Sequence, residues 1–194
     1  MAGPYVDPEQ PLVVAAQQGD EAAMAQLWRA THPPLLRYLQ GRIGGRAEDV
    51  AAAAWLDAAR GLATFDGDDN DFRRWLFTIA RRRLIDELRR HGRRRGEWLV
   101  DAPIEVAAPS ADPGERRDDL GAALALVRQL PSDQADAVLL RVVVDLDVSQ
   151  VAEIMGRSEG SVRVLTHRGL RRLQELVAAH GVTPADPSAI YREQ

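Results

Sequence analysis

Two groups of arginines stand where they can do chemistry on a polyanion. The first runs from Arg81 to Arg95 and sets eight arginines against two acids, Asp86 and Glu87. The second follows Ser158 and comprises Arg163, Arg168, Arg171 and Arg172. A guanidinium stays charged and presents a planar fork of donors that fits phosphate oxygens or the edge of guanine. The chain has no lysine at all, so arginine abundance is a property of its composition and placement carries the information. The formal net charge of −4 hides this pattern, because the acidic, proline-bearing stretch 101–119 cancels the basic block in the sum.

Other chemistries find little support. With no cysteine, disulfides, thiol catalysis and cysteine-based metal sites are excluded, and a reducing compartment fits. The four histidines (His32, His91, His167, His180) are scattered without ligand spacing. The run Asp66 to Asp71 faintly resembles a calcium loop but lacks the downstream bidentate Glu, so a capped turn is expected. No nucleophile–base arrangement and no phosphate-cradling glycine loop is present. The expectation is no catalytic residue, no metal and no cofactor. Neither a signal peptide nor an apolar run of membrane-spanning length is seen, so no membrane insertion is expected.

The 194 residues suit one large domain or two small ones. Ala, Leu, Arg and Glu dominate, strand alternation is scarce, and the expected class is all-α. Leu12 to Gln17 reads as a helix stopped at Gly19. Asp20 can cap a second helix through Trp28, and Pro33-Pro34 suit the opening of a third. A fourth runs from about Ala47 to Ala63. Asp71 can cap a long helix from Phe72 to about His91, with Phe72, Trp75, Leu76 and Ile79 at helical spacing. Arg74, Arg81, Arg82 and Arg89 fall within an arc of about 100° on its other side, given 3.6 residues per turn. Trp75 and Phe77 read as core rather than as base-stacking platforms. Residues 96–114 read as a flexible linker. A second helical unit starts near Glu115, with Leu120, Leu124, Val127 and Leu130 on its apolar side. Ser132 or Asp133 opens the next helix, which carries Val138, Leu139 and Val142. The expected architecture is two small helical domains, 8–95 and 115–179, joined by the linker and followed by a tail, 180–194.

The strongest local signal lies between Val148 and Leu165. Two short helices that cross closely need a small residue at the crossing, here Ala152, and a residue tolerant of positive φ four positions on, here Gly156. Ser158 can cap the second helix, and Val151, Ile154, Val162 and Leu165 supply a shared core. These offsets define a helix-turn-helix, whose second helix would enter the major groove of DNA. Ser158, Glu159, Ser161, Arg163, Val164, His167 and Arg168 would face bases or backbone there, and Arg171 with Arg172 would meet phosphates.

These features in this order resemble the extracytoplasmic-function (ECF) sigma factors of bacterial RNA polymerase. The likeness rests on Ala47 to Val50, Trp55 to Arg60, Phe65 to Asp68, and above all Phe72 to Arg90. After the linker it continues through Leu130-Pro131, Leu139 to Arg141 and the helix-turn-helix. It implies a cytoplasmic transcription initiation factor that binds core RNA polymerase and promoter DNA and is held in check by an anti-sigma protein. Asp68, Asn70, Arg74, Arg81, Arg82 and Arg89 would serve the −10 element, with the acidic loop bordering a pocket for a flipped base. The helix-turn-helix residues would read the −35 element. Glu48, Asp49, Trp55 and Asp57 would contact the polymerase, and the acidic linker would thread toward the RNA exit path. Ala52 and Ala53 depart from the family, where Gln and an acid are common, which implies a thinned polar docking surface. Two other readings stay open: a helix-turn-helix regulator that binds duplex operators without polymerase, and a sigma-derived interaction protein that no longer initiates transcription.

Overall fold

A computed structural model of the chain describes residues 10–95 and 115–179. Among these the fold is all-helical. The expected linker 96–114, the tail 180–194 and the first residues of the N-terminal domain lie outside them.

Helix α1, Leu12–Gln17, begins after Pro11. Its first amides are met from across the molecule: the Asp69 carboxylate accepts from Leu12 N at 3.1 Å and Val13 N at 2.8 Å. The Gln17 amide donates to the carbonyls of Leu62 and Phe65 at 2.9 and 2.6 Å, fixing the other end. Gly19, at φ 89°, turns the chain, and Asp20 caps α2 by accepting from Ala22 N and Ala23 N.

Helix α2 corrects a sequence expectation. It runs unbroken as Glu21–Ile43, with Pro33 and Pro34 inside it rather than opening a new helix. Each proline removes one amide donor. The Thr31 hydroxyl donates to Leu27 O at 2.5 Å in the turn before them, and Leu35, Tyr38 and Leu39 after them are fully buried. Packing of that continuous face outweighs the lost backbone bonds.

Helix α3, Ala47–Gly61, follows a 3-10 turn, Gly44–Arg46. Its buried face is Ala47, Val50, Ala51, Ala54 and Ala58, small residues that let α2 and α4 approach. Helix α4 spans Asp69–Arg95, longer at both ends than expected. Its cap is Asp68 rather than Asp71: Asp71 N donates to Asp68 Oδ1 at 2.9 Å, and Asp68 N donates back to Asp71 Oδ2 at 3.2 Å. This reciprocal pair is a capping box. Phe72, Leu76, Phe77, Ala80 and Leu84 form its core face. Trp75 is half-buried against Gly61, where a Cβ would lie 2.9 Å from its ring.

In the second unit, α5 is Glu115–Val127 and α6 is Ser132–Val138. Leu124, Val127 and Leu130 are buried as expected, but Leu120 is exposed. A π-helical turn, Leu139–Val143, continues α6. It buries Leu139 and Leu140 and turns Val142 outward, against expectation, because the wider turn rotates the face that an α-helix would keep inward. Helices α7, Val148–Met155, and α8, Glu159–Ala179, complete the fold; α8 is longer than the short helix expected. Gly169 lets α8 cross α6 closely, since a Cβ there would fall 2.6 Å from Val138 Cγ2.

The two helical units pack on each other through α2 and α4 on one side and α5, α6 and α7 on the other. Buried residues of both units form one continuous core. Gly41 of α2 marks one close approach: a Cβ there would sit 2.7 Å from Leu139 Cδ2 and 3.1 Å from Leu124 Cδ2.

Candidate nucleic-acid interface

The helix-turn-helix is built as its sequence requires. Asp147 caps α7 by accepting from Gln150 N at 2.8 Å, and the Gln150 side chain accepts from Asp147 N at 3.0 Å. Gly156 adopts the left-handed conformation, φ 63° and ψ 41°, and its amide closes α7. Ala152, Val151, Ile154 and Val162 are buried at the crossing, with Leu165 packed against them. The Ser158 hydroxyl accepts from Ser161 N at 3.3 Å, capping α8.

The predicted reading residues project into solvent together. Ser158, Glu159, Ser161, Arg163, Val164, His167, Arg168 and Arg171 are all exposed on α8 or its cap. Arg163 pairs with Glu159 at 2.7 Å and Arg171 with Glu175 at 3.4 Å, one turn apart along the helix. Such exposed pairs hold weakly and yield readily to a phosphate or a base edge.

The four arginines of the α4 face divide. Arg82 and Arg89 are exposed. Arg74 is bound by Asp71 at 2.6 Å and by Glu153 of α7 at 2.8 Å. Arg81 is bound by Asp136 of α6 at 2.9 Å and approaches Asp133 at 3.8 Å. Asp68 and Asn70 are exposed at the start of α4, where Asp68 is committed to the cap.

The four residues proposed for polymerase also divide. Glu48 and Trp55 line an open apolar groove of about 1030 Å3 between α2 and α3. Asp49 is exposed outside that groove. Asp57 is turned to α4, where its carboxylate accepts from Arg83 Nε at 2.6 Å. Sequence reasoning missed the groove's other residues, above all Trp28, Leu56 and His32. The signal was there as Met24, Trp28 and His32 at four-residue spacing, hidden by placing a helix end at Trp28. Trp28 and Leu56 are 48% and 54% exposed, unusual for their size. Trp28 stacks on His32 with ring centroids 4.4 Å apart, and the buried His32 Nδ1 and Trp55 Nε1 have no hydrogen-bond partner among the described residues.

Burial lowers the His32 imidazole below its usual range, and nearby Glu48 raises it in part. A folded chain that resists protonation loses stability as the pH falls from about 6.5 toward the folded midpoint. An NMR titration should therefore place His32 below an unfolded-peptide histidine, and His32→Gln should remove that part of the acid-side slope. A midpoint at the unperturbed value would contradict this.

A second missed cluster sits between the units. Asp136, 1% exposed, accepts from the Tyr38 hydroxyl at 3.1 Å, pairs with Arg42 Nε at 2.7 Å and takes the Arg81 bond already given. Arg42, itself 2% exposed, also donates to Ser132 Oγ at 2.6 Å. Burial first, and the Asp136 charge second, hold the Tyr38 hydroxyl well above the usual phenol range.

A helix-turn-helix joined to a second helical unit with a basic helix defines a two-part DNA-binding protein, and comparison with known proteins makes this specific. Sigma-70 region 2 matches residues 27–94, and Sigma-70, region 4 matches residues 120–173. The ECF RNA polymerase sigma factor BldN of Streptomyces coelicolor is 34% identical over 172 residues, covering 86% of this chain and 64% of BldN. The ECF RNA polymerase sigma factor SigD of Mycobacterium tuberculosis is 30% identical over 184 residues, covering 88% of this chain and 84% of SigD. Among solved structures, the sigma factor RpoE from Bartonella quintana, in complex with the anti-sigma factor NepR, shares the fold with a TM-score of 0.63 at 23% identity, over 80% of this chain and 96% of that one. The chain belongs to the ECF sigma factors, proteins that direct RNA polymerase to promoters. The reading as a regulator that acts without polymerase is not favoured, because the match takes in both units and not the helix-turn-helix alone.

Proposed function

We propose that this chain is a non-enzymatic, cytoplasmic initiation factor that binds core RNA polymerase through the α2–α3 groove and reads promoters at two points. The N-terminal domain, 8–95, serves the −10 element through Asp68, Asn70, Arg74, Arg81, Arg82 and Arg89. The C-terminal domain, 115–179, serves the −35 element through the exposed face of α8, while 96–114 links them and 180–194 forms a tail. The observation that carries this reading is that a solvent-facing recognition helix and a partner-sized apolar groove occur in one chain. Run-off transcription with core polymerase on genomic fragments tests it: discrete transcripts that depend on the chain are expected, and none from any fragment would overturn it. An anti-sigma partner is part of the proposal, supported by RpoE having been solved with one.

Arg163→Ala should weaken use of those promoters by roughly tenfold to a hundredfold, the worth of one bidentate base contact of about 1–3 kcal/mol. Core polymerase binding should not change, because Arg163 lies on the exposed face of α8 and not in the groove. Gel-shift titrations of the chain into core polymerase, run beside the transcription assay, check both halves. A parallel loss of polymerase binding would remove Arg163 from a purely DNA-reading role.

A further inference from the structure

We propose that Gln17 is a positioning residue for promoter recognition. Together with Asp69 it makes α1 a strut that clasps both ends of the loop 62–69 and sets the shape that a flipped −10 base meets. That role rests on the reading of Asp68 and Asn70 as part of the −10 surface.

The loop leaves α3 through a 3-10 turn, Leu62–Thr64, and enters α4 at Asp69. Its outer side is polar and open, with Asp66, Asp68 and Asn70 exposed. Its second half is fixed by its own residues. Asp68 and Asp71 exchange their capping bonds, and Gly67, at φ 148°, lies so close that a Cβ would fall 2.7 Å from Asp71 Cβ. The first half is held from outside. Phe65 leaves helical geometry at φ −70° and ψ 136°, which takes its carbonyl out of the helical ladder. A carbonyl turned inward needs a donor. The Gln17 side-chain amide supplies it at 2.6 Å, and the same nitrogen reaches Leu62 O at 2.9 Å. One amide thus spans the turn and fixes where the loop begins.

The far end of α1 makes the matching contact. Asp69 stands in the first turn of α4, where a carboxylate ordinarily serves its own helix. Here it accepts from Leu12 N and Val13 N, two of the amides that a helix start leaves unpaired. A helix of six residues is too short to persist alone in water, and at 1.5 Å per residue it spans roughly 9 Å. Val13, Ala15 and Ala16 bury its apolar side and anchor it to the domain. What Gln17 adds to those anchors is a grip on loop backbone. The Phe65 ring follows that backbone and packs on Trp75 and Phe72, with centroids 5.0 and 5.9 Å apart. A pocket that selects one base needs its walls placed to within about 0.5 Å, a tolerance that a loop tied only by its covalent ends does not keep.

Gln17→Met keeps the length of the side chain and removes the donor. In hydrogen-exchange mass spectrometry of the full chain, amides of 62–71 should exchange about tenfold faster, while α4 beyond Phe72 stays protected. Unchanged exchange over 62–71 would overturn the strut. The second readout is base preference. Holoenzyme of core polymerase and full chain selects from a pool built on a fragment that gives a run-off transcript, randomised across its −10 and −35 elements. One −10 position should fall from the roughly tenfold to hundredfold preference that a base position carries to within about threefold. Preferences at the −35 positions and affinity for core polymerase should stay native, because Gln17 lies on neither α8 nor the groove. A native −10 profile, or a uniform loss across both elements as misfolding gives, would remove the role of Gln17. Asn70→Ala in the same selection separates the two readings. If it flattens a −10 position and Gln17→Met does not, the strut is at fault. If it leaves the −10 profile native, the loop does not serve that element and the positioning role falls with it.

Discussion

Trp28→Ala should weaken binding to core RNA polymerase by about thirtyfold or more, the effect of losing an interface tryptophan worth at least about 2 kcal/mol. Trp28 and Leu56 are the large apolar side chains left open on the groove, and a monomer gains nothing by exposing them together. Beside them, His32 Nδ1 and Trp55 Nε1 lie buried without a hydrogen-bond partner among the described residues. Leu56→Ala should add a smaller loss. Neither substitution should lower the thermal midpoint much, because both side chains are already about half solvated. The geometry also separates the two alanines that depart from the family: Ala52 lines the groove and Ala53 does not. Docking on so apolar a surface should persist in high salt, where contacts between exposed charges are screened. Fluorescence titration of labelled chain with core polymerase at low and high salt reads all of this. Native-like affinity of the Trp28→Ala, Leu56→Ala chain would remove the groove from the polymerase interface.

What the sequence disclosed, and what it hid, follows the range of the interactions. The helix-turn-helix was legible because Ala152, Gly156 and Ser158 act within one motif: a crossing, a left-handed turn and a cap, each set by a residue's own chemistry. Asp20 was legible for the same reason. The continuous α2 was not, because Pro33 and Pro34 argue locally for a break and only the burial of Leu35, Tyr38 and Leu39 decides otherwise. Asp68 was passed over for Asp71 because both sit ahead of the same apolar run, and the two in fact share the cap. The outward turn of Val142 depends on a π-helical turn that carries no mark in the side-chain pattern. The site divided along the same line. Periodicity put Arg74, Arg81, Arg82 and Arg89 on one face, but only the packing of α4 against α6 and α7 shows which two are already paired. Tyr38 and Asp136 bond across 98 positions, a separation at which neither residue predicts the other.

Asp136→Ala should produce the largest loss of stability of any single change considered. Arg42 would be left 2% exposed with its nearest carboxylate gone, held among the described residues by Ser132 Oγ. Breaking a buried ion pair from one side costs about 3–5 kcal/mol, and in a chain of this size that lowers the thermal midpoint by roughly 10 °C. The packing of the two units on each other adds a limit to this cost. If the units separate, Arg42 regains water, so the loss cannot exceed the free energy that holds them together. A measured cost below the buried-pair range, with a urea slope that signals a looser native chain, would report opening rather than partial unfolding. The companion variant removes the whole knot: Asp136→Leu with Arg42→Met and Tyr38→Phe leaves no stranded charge or phenol there, the Ser132 hydroxyl that loses Arg42 is only half-buried, and Arg81 keeps Asp133 within 3.8 Å. Replacing a complete buried pair by apolar groups of similar size is often neutral or stabilising. The triple variant should therefore recover most of the midpoint lost by Asp136→Ala. Urea and thermal denaturation of the native chain and both variants decide it, and an unchanged midpoint for Asp136→Ala would show that the knot holds nothing.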